Sequence, residues 1–177
     1  MAAPSSINLR EWIRDIPDFP KPGIMFKDIT PLLGDGEGLR MVLDDLAAPW
    51  EGMGISKVVG VESRGFLLAP GVAERLGCGV VLARKPGKLP WTTHRAEYAL
   101  EYGTDSLEMH VDSLSTSDRV LLIDDVLATG GTAMAALSLI AFSGARCLGS
   151  AFVIELSFLN GRAALADYGM TTSIMVF

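Results

Sequence analysis

The sequence predicts an α/β fold with an open, mainly parallel sheet flanked by helices, and three observations carry that expectation. Apolar, β-branched runs alternate with helical patterns along the 177 residues. One of these runs, "RVLLIDDV" (119–126), is apolar without alternation up to its acids, as in a strand buried on both faces. A glycine, Gly77, closes the helical pattern "FLLAPGVAERLG" directly before the next strand-like run, the usual punctuation of a helix that returns to a sheet.

Taken in order, "INLREWIRDI" (7–16) has apolar residues at helical spacing with Ser5 or Ser6 as cap, and a helix is expected. "FPKPGIMF" is too rich in proline for a helix or a central strand and reads as an extended loop. "GLRMVLDDLAAPW" is an amphipathic helix, followed by strand "KVVGVE" (57–62), the helix ending at Gly77, and strand "GVVLAR" (79–84). Residues 86–105, with Pro86 and Pro90, are expected to lack most regular structure, with strand returning only in the second half of "AEYALEYGTDSLEMHV". After 119–126 come the loop "LATGG", helix "TAMAALSLIAFSG", strand "CLGSAFVIEL", a short helix "GRAALADYG" and a closing strand "TSIMVF".

The length fits one domain that buries a sizeable core, with 49% hydrophobic and 20% charged residues. No stretch approaches the ~18 apolar residues of a membrane span, and no leader-like segment opens the chain, so a cytoplasmic protein without a membrane partner is expected. Cys78 and Cys147 belong to no CxxC or Cys/His cluster; both are expected in the core of a protein kept in a reducing compartment, without structural zinc. A net charge of −6 disfavours duplex nucleic acid, whose binding depends on neutralised phosphates. Against that balance, "RKPGKLPWTTHR" (84–95) holds four Lys or Arg and no acid, a basic patch that is either a solvated loop or an anion contact.

"DDVLATGGT" (124–132) follows the central strand and precedes a helix. A Gly-rich turn there converges backbone N–H groups at the positive end of the helix dipole and suits a phosphate, with Thr129 and Thr132 adding hydroxyls. GxxxxGK[ST] is absent and no strand leads into GxGxxG, which disfavours nucleoside triphosphate and dinucleotide loops. "GVESRG" misses the spacing of a nucleophile elbow, and His94 and His110 have no nucleophile arranged around them. Asp124 and Asp125 either cap the turn or form a buried ion pair, or else accept sugar hydroxyls and help hold a hard cation. Strand alternation sends them to different faces, so they are not expected to act as one acid/base pair.

Two apolar residues, two acids, two further residues and a Thr/Gly loop resemble the phosphoribosyl pyrophosphate signature of the type I phosphoribosyltransferases. "FPKPGIMFKDITPLL", "GVESRGFLLAPGVAERLG", "RKPGKLP" and "YALEYGTDSLEMH" are similar, in this order, to segments of the adenine branch of that family. The resemblance covers nearly the whole chain. It implies the type I phosphoribosyltransferase fold over 1–177, with a small N-terminal hood at 1–35 and a lid loop at 86–105. It also implies a glycosyltransferase of purine salvage that joins adenine N9 to the ribose of phosphoribosyl pyrophosphate, giving AMP and pyrophosphate with Mg²⁺.

Carried over residue by residue, the resemblance gives the 5′-phosphate to the backbone of Ala128, Thr129, Gly130, Gly131 and Thr132. The ribose goes to Asp124 and Asp125, with Asp125 the closer ligand and Mg²⁺ reached through substrate or one of these acids. Pyrophosphate goes to Arg64, Arg84, Lys85 and Lys88. Glu101 becomes the catalytic group that takes or steadies the N9 proton, with Tyr102 packed near it. The adenine edge falls to the main chain of Met25 and Lys27 and the ring of Phe26, although a Phe there equally suits a core. Ala128, where 6-oxopurine relatives carry an acid, disfavours those bases. The lid departs from the family pattern at Trp91, His94 and Arg95, and Lys27 stands where Arg is expected. A homodimer, with Arg84 crossing to the neighbouring site, is the implied assembly.

Overall fold

Where the spacing at 7–16 predicts a helix, a single 3₁₀ turn (Leu9–Trp12) gives way to strand β1 (Arg14–Pro17), paired antiparallel with β2 (Met25–Asp28). A helix of this length is marginal by itself, and the pairing of Asp15 with Lys27 and of Ile16 with Phe26 overrides the local preference. The computed structural model describes residues 9–99 and 104–177. The chain divides into two units, Met1–Val42 and Leu43–Phe177.

In the first unit, Asp28 accepts hydrogen bonds from the Thr30 amide (2.9 Å) and hydroxyl (2.7 Å) and so starts helix α1 (Thr30–Gly34). Asp35 accepts from the amides of Glu37 (3.0 Å) and Gly38 (2.8 Å), capping helix α2 (Gly36–Ala47), within which the unit boundary falls.

The second unit continues through a 3₁₀ turn (Ala48–Trp50), β3 (Lys57–Val61), α3 (Gly65–Leu76) and β4 (Gly79–Ala83). Gly77, at φ 66°, ends α3 as expected, its N–H donating to Ala73 and Glu74 carbonyls. Then come β5 (Thr93–Ala99), β6 (Thr104–His110), β7 (Arg119–Leu127), α4 (Gly131–Phe142), β8 (Arg146–Glu155), α5 (Gly161–Ala164) and β9 (Met170–Val176). Five strands form a wholly parallel sheet in the order β4-β3-β7-β8-β9.

Helix α3 packs on β3, β4 and β7. The opposite face, through Val59, Val61, Leu122 and Phe152, meets α4. Each fully buried Val, Leu or Phe there stabilises the fold by about 1.5–3 kcal/mol.

The segment expected to lack regular structure instead contains β5, paired antiparallel in a hairpin with β6, the strand expected in the second half of "AEYALEYGTDSLEMHV". Its alternation is real: Ala96, Tyr98, Leu107 and Met109 are buried in the cluster that includes α4. This also explains why α4 is apolar on all sides: the sheet covers one flank and the hairpin another. Cys78 and Cys147, expected in the core, are only half-buried; burial pushes the Cys147 thiol up to about 11, and its Sγ donates to the Gly149 carbonyl. No helix of the described residues is long and apolar enough to cross a membrane.

Candidate functional site

The chain leaves β3 through α3 towards β4, and leaves β7 through α4 towards β8. Neighbouring strands whose connections diverge open a crevice at their carboxyl ends, and ligands of open parallel sheets bind there. Near the end of β7 lie Asp124 and Asp125, only 8% and 5% exposed. After β3 come Glu62, Ser63 and Arg64, and Arg64 Nε lies 2.6 Å from Asp125 Oδ2. The topology thus joins an arginine and an acid from separate motifs.

Gly65, the next residue, starts α3 against the β7 backbone. A Cβ at that position would lie 2.8 Å from the Ile123 carbonyl oxygen and 3.2 Å from Asp124 Oδ1, so only glycine allows this approach. Asp124 Oδ1 accepts the Asp125 amide at 2.9 Å. Burial first, then the charge of Asp125, pushes the Asp124 carboxyl well above the ordinary carboxylate range, with Arg64 acting against the rise. The Asp124 carboxyl feels both the charge of Asp125 and a side-chain hydrogen bond with it, so the separation expected from strand alternation does not keep the two carboxyls apart. A ligand hydroxyl or cation here relieves that repulsion.

Beyond β7 the chain runs through Ala128 and Thr129 to Gly130, whose φ of 90° is left-handed backbone that glycine adopts without steric cost. Gly130 starts α4 with no side-chain cap, so the first amides of the helix remain available to an anion. Val126 to Ala133 line a hollow of about 60 Å³ at this point. The residues expected to cradle phosphate, Ala128 to Thr132, all contribute to it.

The expected cations follow β4. Arg84 Nε donates to Glu62 Oε2 at 3.2 Å and its guanidinium lies 5.8 Å from the Phe66 ring centroid. Burial raises the Glu62 carboxyl, but the Lys85 amide (2.9 Å) and Arg84 outweigh it and hold the group below its usual range. The Lys85 side chain is not free for an anion: Nζ donates to Tyr98 Oη at 2.9 Å and to Asp105 Oδ2, and Tyr98 donates to the same carboxylate at 3.0 Å. Lys88 is exposed, its amide donating to the Lys85 carbonyl at 3.3 Å. Glu62, Tyr98 and Asp105 organise these cations and carry no local sequence signal, because each partner lies on another element.

Within the first unit, Met25 is half-exposed and the Phe26 ring meets Phe19 edge-on at 5.1 Å. Lys27 Nζ pairs with Asp15 at 2.7 Å across β1–β2, which occupies its side chain within that sheet. Glu101 and Tyr102 lie outside the described residues. Among the residues that depart from the family pattern, Trp91 is exposed and the His94 ring packs 5.9 Å from that of Phe142. The described residues contain no group of three or more His, Cys, Asp or Glu that could hold a metal ion. Two carboxylates alone fit a hard cation that takes most of its ligands from phosphate oxygens and water.

The phosphoribosyl transferase domain family matches residues 51–169. The adenine phosphoribosyltransferase of Anaeromyxobacter dehalogenans is 53% identical over 169 residues, covering 96% of this chain and 98% of the relative. The crystal structure of adenine phosphoribosyltransferase from Rhodothermus marinus superposes with a TM-score of 0.91 at 48% identity, covering 96% of each chain. The Saccharomyces cerevisiae enzyme, solved with an imino-altritol bisphosphate and adenine, gives 0.88 at 36% identity, covering 94% of this chain and 96% of that one. With its acids at the switch point and its uncapped helix start beyond them, this chain belongs to the phosphoribosyltransferase family, in its adenine phosphoribosyltransferase branch.

Proposed function

We propose that the protein transfers the 5-phosphoribosyl group from phosphoribosyl pyrophosphate to adenine N9, forming AMP and releasing pyrophosphate. The observation that carries this reading is the adjacency of a buried, mutually repelling Asp124–Asp125 pair and the phosphate-sized hollow that follows it. The choice of adenine rests on relatives of that name sharing about half the residues, and on Ala128 in place of an acid.

As the C1–pyrophosphate bond breaks, positive charge builds on the ribose and negative charge on the leaving group. Asp124 and Asp125 accept the ribose hydroxyls and stabilise the positive sugar. The amides of Ala128 to Thr132 hold the 5′-phosphate. Arg64, turning from Asp125, Lys85, turning from Asp105, and Arg84 and Lys88 receive the pyrophosphate, Arg by its fork and Lys as a point charge. Asp124 or Asp125, together with substrate oxygens, would hold Mg²⁺, which would supply neutralising charge to the pyrophosphate. Glu101 takes or steadies the N9 proton, Tyr102 packs near it, and the segment 86–105 excludes water that would otherwise attack C1. Met25 and Lys27 read the adenine edge through main chain, with Phe26 in ring contact. The reading extends to a cytoplasmic homodimer in which Arg84 serves the neighbouring site.

The test is to incubate the protein with phosphoribosyl pyrophosphate, Mg²⁺ and each of adenine, hypoxanthine, guanine and orotate. AMP from adenine, with little product from the others, is the expected result. Absence of AMP while control enzymes work would refute the proposal.

A further inference from the structure

Strand β8 ends at Glu155, which faces Leu127 in the β7–β8 register, and the Leu156 amide donates to the Leu127 carbonyl at 2.9 Å. Glu155 is 5% exposed, a buried carboxylate that no step above uses. Its partner is Arg162 on α5. Nε donates to Oε1 at 2.9 Å and Nη2 to Oε2, while Nη1 donates to the Thr171 carbonyl at 2.6 Å and Nη2 to Ser173 Oγ at 2.7 Å. Ser173 in turn donates to Glu155 Oε2. Arg162 first, and Ser173 with it, hold the Glu155 carboxyl below its usual range against the effect of burial.

The residue before Arg162 is Gly161, which lies against the phosphate loop. A Cβ on Gly161 would sit 2.1 Å from the Ala128 carbonyl oxygen, and one on Gly130 would sit 3.1 Å from the Gly161 carbonyl oxygen. Backbone therefore rests on backbone at Ala128, with no room for a methyl group, and comes close to it at Gly130. Close-packed surfaces of this kind transmit displacement. Any movement of α5 is passed to the loop that forms the hollow.

We propose that Arg162, clamped on Glu155, Thr171 and Ser173, is a positioning residue that fixes Gly161 against Ala128 and Gly130 and so sets the loop for the 5′-phosphate. The inference rests on the reading that this loop receives the 5′-phosphate. Binding there should depend on Arg162, whereas binding of pyrophosphate, assigned to Arg64 and the cations after β4, should not.

Calorimetric titration of ribose 5-phosphate, and separately of pyrophosphate with Mg²⁺, into wild type, Arg162→Met, Arg162→Lys and Gly161→Ala tests this. Arg162→Met should weaken ribose 5-phosphate binding about tenfold, the scale of a small misplacement of a binding group, and change pyrophosphate binding by less than about twofold. Arg162→Lys should fall between, because a point charge replaces only part of the fork. Gly161→Ala should reproduce the selective loss with the ion pair intact, and it decides the matter if Arg162→Met does not fold. Unchanged ribose 5-phosphate affinity in folded variants, or equal weakening of both ligands, would overturn the positioning role. Wild type that binds ribose 5-phosphate but forms no AMP would refute the proposed reaction while leaving this role tested.

Discussion

Asp124 carries more tension than any other carboxyl of the site. It is buried, sits beside a second acid, and presses against Gly65, so its carboxyl is raised well above the ordinary range. The sign of the consequence follows from linkage. The unfolded chain releases this proton near pH 4, whereas the folded chain keeps it to higher pH, so folding stability falls as pH rises from about 4 through the raised value. Asp124→Asn keeps an oxygen for the Asp125 amide and removes the charge. It should raise the melting temperature of the ligand-free protein at pH 7 by about 2–4 °C, the shift for roughly 1 kcal/mol in a chain of this size, with the gain vanishing below about pH 4. Nucleotide formation should fall in the same variant. Calorimetric melts across pH check this, and an unchanged melting temperature at pH 7 would sink the argument. The sequence already marks the acid pair and its loop by their place after an apolar strand. It does not show that Arg64 and Gly65 close over them, because α3, β4 and the β5–β6 hairpin separate those residues from the acids along the chain.

Among the elements, the hairpin β5–β6 differs most from expectation. Prolines and charges at 86–95 mask a strand whose inward residues, Ala96 and Tyr98, make sense only against α4 and the rest of the core. The Lys85, Tyr98 and Asp105 contacts tie the hairpin to the chain just after β4. Lys85 donates to Asp105 and holds that carboxyl below its usual range against burial, helped by the Ser106 amide and Tyr98. A lowered carboxyl stabilises above about pH 4 and loses that contribution as pH falls through the lowered value. Asp105→Asn should therefore speed amide hydrogen exchange in β5 and β6 about fivefold at pH 7, the effect of roughly 1 kcal/mol from a charged but partly screened hydrogen bond. Exchange in β7 and β8 should hold steady. Acceleration spread evenly through the sheet would mean that the contact supports the whole fold and not this hairpin. The other elements follow their local patterns more closely: α3 stops at Gly77, and β7 is the buried strand its composition predicts.

For the whole molecule, the question is what binds the site together in the ligand-free state. In the proposed reaction Mg²⁺ joins with the phosphate oxygens of the substrate and is not expected to hold the fold. Chelation should thus abolish nucleotide formation while leaving the unfolding midpoint within about 1 °C, since a ligand that binds only with substrate adds no stability to the free protein. A large drop in midpoint on chelation would point to a structural metal. The parallel sheet, most helix limits, the acid pair and the Thr/Gly loop were legible in the sequence, because period, composition and turn chemistry are local and survive without knowledge of partners. The pairing of Arg64 with Asp125, of Lys85 with Tyr98 and Asp105, and of Arg162 with Glu155 beside Gly161 emerges in the folded chain alone. Those contacts join residues on different elements. Their strength comes from burial and approach distance, which exist only once the strands are ordered side by side.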